Sequence, residues 1–151
     1  MSYVDSNLMK DEKVVYKADI HWFIFVPGIV FFIIGIVLFS SGEESGGPVF
    51  GLFAILTAIF SLIKALITMA TTELAITSKR VIAKVGLIRR YTVELNHSKV
   101  ESFNIDQSIF GRIFGFGTLV INGTGGGKTL IPSIDNPLEF RRNAMELIDA
   151  S

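Results

Sequence analysis

WFIFVPGIVFFIIGIVLF, residues 22–39, runs for eighteen residues without a charge. At the rise of an α-helix, this stretch is long enough to cross the hydrocarbon core of a bilayer. After SSGEESGG at 40–47 comes a second apolar run, PVFGLFAILTAIFSLIKALITMA at 48–70, broken only by Lys64. A single such run could be the core helix of a soluble protein. Two of them, filling about a third of the chain, leave no polar face for water, and residues 22–70 read as a two-helix membrane hairpin. A cleaved leader fits poorly, because some twenty mostly polar residues come first and no small-x-small site follows.

The hairpin accounts for the composition. Half of the 151 residues are hydrophobic and only 19% are charged, yet the flanks on either side of 22–70 are ordinary polar mixtures. A formal net charge of zero argues against a nucleic-acid partner. The absence of cysteine removes disulfides, thiolate metal sites and thiol catalysis.

The cations set an orientation. Lys10, Lys13 and Lys17 precede the first run, and Lys79, Arg80, Lys84, Arg89 and Arg90 follow the second, whereas the loop between holds only Glu43 and Glu44. Positive flanks stay inside, so both termini are expected in the cytoplasm, with the hairpin in the inner membrane. Trp22, next to His21, suits the interface where the first helix begins. Lys64 lies close enough to the cytoplasmic side to snorkel. The alternative gives Lys64 a function: a small transport or channel subunit whose hairpin oligomerises around this charge.

Gly51, Ala54, Ala58, Ser61, Ala65 and Thr68 recur every three or four residues and form a seam of small side chains on the second helix. Phe23, Phe25, Phe31, Phe32 and Phe39 of the first helix are expected to supply the bulk that packs on it, with a bend at Pro27–Gly28.

Beyond residue 70 the apolar residues alternate, the mark of strands with one buried face. In RYTVEL, residues 90–95, Tyr91, Val93 and Leu95 should face a core while Arg90, Thr92 and Glu94 face water. Further strands are expected at 73–77, 80–85, 99–106, 118–122 and 129–134, joined by short turns into antiparallel hairpins. A closing helix starts near Asp135–Asn136–Pro137, with Phe140, Ala144, Leu147 and Ile148 as its apolar stripe. The expected architecture is a membrane α-hairpin plus a mostly-β barrel or sandwich closed by a C-terminal helix. Three parts follow: an N-terminal segment 1–21, the hairpin 22–70, and a domain 71–151 expected to fold alone.

Residues 73–126 resemble the bacterial pleckstrin-homology (PH) domain family, in particular membrane-anchored members in which the domain follows two transmembrane helices. The resemblance rests on Thr77-Ser78-Lys79-Arg80, on Lys99-Val100-Glu101-Ser102, and on Gln107-Ser108 through Gly111-Arg112 to Gly115-Phe116-Gly117-Thr118, with His21-Trp22 upstream. It implies a PH-like fold and a binding or scaffolding role, with other membrane proteins or a second copy as partner and no cofactor. Such a fold usually has seven strands, one more than the six above. The seventh is either short and irregular or supplied by the segment before residue 21, where Val14, Tyr16, Ala18 and Ile20 alternate with other residues.

Chemistry is sparse. Gly123 to Lys128 is one residue short of a phosphate-loop spacing and runs into a strand, so it reads as a hairpin loop. Asn96-His97-Ser98 and Asn122-Gly123-Thr124 match the glycosylation pattern but read as turns. His21 and His97 have no metal-spaced partner; serines and threonines are plentiful, but a triad needs a histidine held by a carboxylate and His97 sits in a polar turn, so catalysis is not expected. Lys79, Arg80, Arg89, Arg90 and Arg112 are candidates for contact with a partner or the membrane surface, or simply solvate the domain. The repeat Ile109-Phe110-Gly111 and Ile113-Phe114-Gly115 is expected to pack under the sheet as core. Left exposed, Phe110 and Phe114 would mark a docking surface instead.

Overall fold

The structure is a computed structural model that describes residues 2–42 and 46–150; Glu43 and Glu44 lie outside the described residues. It divides into two compact units, one of residues 22–70 and one that joins residues before 22 to those after 70.

In the first unit a single 3-10 turn, Trp22–Phe25, leads into α2 (Val26–Phe39), and α3 (Gly47–Thr71) returns antiparallel to it. Trp22–Phe39, the turn together with α2, and Gly47–Thr71 are each long and apolar enough to cross a membrane. Gly51, Ala58 and Ala65 are buried along α3, with Ala54 and Ser61 half-buried beside them. What faces this stripe corrects the expected bulk. Gly28 and Gly35, seven residues apart, are the buried residues of α2, while Phe31, Phe32 and Phe39 point outward. A Cβ at Gly35 would lie 2.9 Å from the backbone nitrogen of Ile55, and one at Gly51 would lie 2.4 Å from that of Phe39. The helices therefore touch backbone to backbone, which side chains larger than hydrogen would prevent.

The second unit opens with a short helix, α1 (Tyr3–Ser6), and a strand, β1 (Val14–Ala18). After the hairpin come β2 (Glu73–Thr77), β3 (Arg80–Val85), β4 (Tyr91–Asn96), β5 (Val100–Asp106), α4 (Ile109–Phe114), β6 (Phe116–Gly123), β7 (Lys128–Asp135) and α5 (Pro137–Asp149). The strands form two antiparallel sheets, in the orders β1-β2-β3-β4 and β5-β6-β7. The seventh strand is thus β1, from the segment that the sequence reading set apart as 1–21, and it pairs with β2 through Ala18↔Leu74.

Residues 19–21 then stitch one sheet to the other. Ile20 bridges Ile134, the His21 amide donates to the Ser133 carbonyl at 2.7 Å, and the Asp135 amide donates to the Asp19 carbonyl at 2.9 Å. Helix α5 begins at Pro137, after Asn136, whose left-handed backbone turns the chain into it. Its Phe140 is fully buried and meets Tyr16 of β1 and Phe103 of β5 edge-on, at centroid distances of 5.9 and 6.1 Å.

Strands β2 and β3 are buried on both faces. Leu74, Ile76, Val81 and Ala83 alternate with Ala75 and Ile82, and Val4 of α1 covers the latter pair. The carboxylate of Glu73 fixes this lid by accepting from the Ser2 hydroxyl and from the amides of Tyr3 and Val4, while Lys84 pairs with it at 3.3 Å. Burial alone would raise the Glu73 carboxyl; these donors outweigh it and bring it from near 4.5 down to about 2. A carboxyl lowered on folding stabilises the fold above its unfolded value, and that contribution fades as pH falls from about 4.5 toward 2. Glu73→Gln should therefore lower stability at pH 7 by about 1–3 kcal/mol and flatten the acid limb of a stability curve measured in mild detergent. An unchanged acid limb would count against this capping role.

Candidate functional site

Register places the candidate residues at opposite ends of the strand unit. At one end Lys13 and Ser78 are bonded, and Lys79 reaches the Lys10 carbonyl at 2.7 Å. Turn 97–99 and the loop from Gly123 share this end through the bond from the Thr124 amide to the Lys99 carbonyl. At the other end Glu73↔Lys84 and Val85↔Tyr91 place the β3–β4 tip, with Arg89 and Arg90, beside the start of β2. Arg112 belongs to this second end as well, because α4 leads into Phe116, on which the His21 ring stacks at 5.2 Å. The five cations do not make one patch.

Arg80 is not a surface residue, which corrects its candidacy. Its guanidinium is buried, with Nε 3.0 Å from one oxygen of Glu12 and Nη2 3.0 Å from the other. It also pairs with Glu94 and donates to the Asn7 carbonyl. Burial pushes the Glu12 carboxyl up, but the Met9 amide, the Thr77 hydroxyl and Arg80 more than offset this and hold it below the usual carboxylate range. Arg80 thus clasps the N-terminal segment to β3 and β4, a structural task invisible without Glu12, whose sequence separation is 68. His97 stands in the polar turn 97–99, but its side chain is buried, with Nε2 3.0 Å from the Thr77 carbonyl.

Segment 107–117 departs most from expectation. Ser108 caps α4 by accepting from the Gly111 amide at 3.1 Å, and Gln107 donates to the Phe116 carbonyl at 2.9 Å. Gly111 passes so close to the Phe116 carbonyl that a Cβ would lie 2.5 Å from it, and Gly115 ends the helix at φ +80°. These polar and glycine residues take the inward side, so Ile109, Phe110, Ile113 and Phe114 are turned outward and exposed. The repeat is therefore not core. Its glycines fasten a small apolar platform to the end of the sheet.

One flank of the strand unit is open. Residues 19–21 join β1 to β7, but among the described residues no strand pairs with the outer side of β4. Tyr91, exposed, and Val93 and Leu95, half-buried, instead line a groove of about 440 Å³ with Lys99, Thr129 and the glycine loop 123–127. Sequence alternation puts Tyr91, Val93 and Leu95 on one face of β4 as core; the structure corrects this, because Tyr91 is exposed and the face lines a groove.

Two sheets of four and three strands, stitched along one side and packed on a C-terminal helix, define a PH-like module, here with a pair of membrane-length apolar helices inserted between its first two strands. The chain belongs to the bacterial PH domain family, which residues 23–148 match. No curated protein and no solved structure matches it. Helix α1 and strand β1 precede the matched residues, although both belong to the folded unit.

Proposed function

We propose that this protein is a non-catalytic module anchored in the inner membrane by its hairpin, with both termini in the cytoplasm, that binds an extended segment of another membrane protein. The open outer edge of β4 carries this reading. An edge strand offers a row of backbone donors and acceptors, and an added strand gains main-chain hydrogen bonds while side-chain pockets set its specificity. Here the pocket is the groove lined by Tyr91, Val93 and Leu95. The glycine loop beside it leaves room for a guest, since a Cβ at Gly125 or Gly127 would meet nothing within 4 Å.

A photo-cross-linking residue at position 91, in the intact chain in its native membranes, should give discrete adducts that map to an extended segment of a partner. The same residue at exposed Arg142, on α5, should give few. Equal labelling from both positions, or none from 91, would remove β4 as the binding edge. Lys64, on the outward side of α3, serves as an anchor in this reading, so Lys64→Met should leave the adducts unchanged.

A further inference from the structure

We infer that the end of the strand unit carrying the β3–β4 tip and α4 docks into the headgroup region of the bilayer that the hairpin crosses. This rests on the reading of α2 and α3 as membrane spans and is independent of the β4 groove. Both spans attach to this end. The first follows His21, which stacks on Phe116 immediately after α4 and Gly115. The second leads through Thr72 into Glu73, the cross-strand neighbour of Lys84, one residue from Val85 and the β3–β4 tip. Covalent attachment therefore holds these two features within a few residues of the membrane surface.

Their chemistry suits that place. Ile88 at the tip is 99% exposed and Leu87 beside it is 54% exposed, while Ile109 and Ile113 of α4 are 76% and 69% exposed. Large aliphatic side chains so fully presented mark an interaction surface, and an interfacial element pairs such residues with cations. Arg89 and Arg90 directly follow Ile88, and Arg112 sits between Phe110 and Ile113, all three exposed. Asp19, Asp106 and Asp135 share this end, at strand ends and in the connecting segment. At the opposite end the loop of Gly123 to Lys128 has no apolar side chain, and Met9, beside Lys10, is 52% exposed, less than Ile88, Ile109 or Ile113.

The chain has no cysteine, so single reporters can be placed freely. An environment-sensitive fluorophore is attached through Ile88→Cys, Ile113→Cys, Thr124→Cys or Phe60→Cys in the full-length protein, reconstituted in vesicles of phosphatidylcholine with or without phosphatidylglycerol. Quenching is read from lipids bearing a nitroxide on the acyl chain. Position 60, on the outer face of α3, reports insertion of the hairpin. Quenching at 88 and 113 within roughly twofold of that at 60, with 124 unquenched, is the expected result, stronger with the anionic lipid and weakened severalfold by reversing Arg89, Arg90 and Arg112 to Glu. Quenching at 60 with none at 88 and 113 overturns the docking and leaves the spans standing. Labels at 88 and 113 that are shielded from water but not quenched by lipid also overturn it, in favour of a protein cover. No quenching at 60 overturns the spans and the docking together.

Discussion

Residues 71–151 expressed alone should fail to fold cooperatively, whereas the chain in which a short flexible linker replaces residues 22–70 should be soluble and unfold in one transition. The fragment loses β1 from the edge of its sheet, Val4 from the outer face of β2 and β3, and Glu12 from the buried guanidinium of Arg80. Stranding one partner of a buried ion pair alone costs roughly 3–5 kcal/mol, comparable with the whole stability of many small domains. In the linked chain all three return. Ala18 and Leu74 are cross-strand neighbours, so a linker of roughly six residues is ample to join the ends. Circular dichroism and urea unfolding of the two proteins make the comparison. A cooperative transition in the isolated fragment would show that the N-terminal residues are dispensable.

Neighbouring cations should differ sharply in the same linked protein. Arg80→Leu leaves the fully buried Glu12 carboxylate without its partner, and should cost about 3–5 kcal/mol in urea unfolding. Lys79→Ala removes an exposed ammonium that donates to a backbone carbonyl, and should change stability by about 0.5 kcal/mol or less. Adding Glu12→Leu to Arg80→Leu should restore part of the loss, because the double variant buries no unpaired charge. Equal effects at 79 and 80 would mean that the clasp contributes little.

Much of the architecture was legible because it is written in local periodicity. The six strands after residue 70 and the stripe of Phe140, Ala144, Leu147 and Ile148 show their buried faces within a few residues of sequence. What escaped depends on long-range pairing or on backbone geometry. The alternation of Val14, Tyr16, Ala18 and Ile20 offers strand β1 as one of two sources of the seventh strand but does not decide it, since β1 is five residues long, carries a register irregularity at its start, and finds its partner across the entire hairpin. Arg80 looks like its neighbour Lys79 until Glu12 is placed against it. On α2 the sequence reads the large side chains as packing and Pro27–Gly28 as a bend, as in a water-soluble core. In an apolar solvent size is no guide to burial, and close backbone approach at Gly28 and Gly35 decides the contact. In segment 107–117 the apolar residues read as core because apolar residues usually are. The clamps at Gln107, Ser108 and Gly111 settle which way α4 turns, and apolar character alone carries no such direction.

The pairing of β1 with β2 across the inserted hairpin also sets a rule of parity. Ala18 and Leu74 can be hydrogen-bonded neighbours only if the chain returns to the compartment it left, so residues 19–73 can cross a bilayer an even number of times and never once or three times. That constraint owes nothing to the distribution of lysine and arginine. It also makes the finished sheet a lock. A hairpin inserted in a membrane that slipped to a single crossing would have to tear β1 from β2 and α1 from its seat on Glu73, so the folded module would guard the topology of that hairpin.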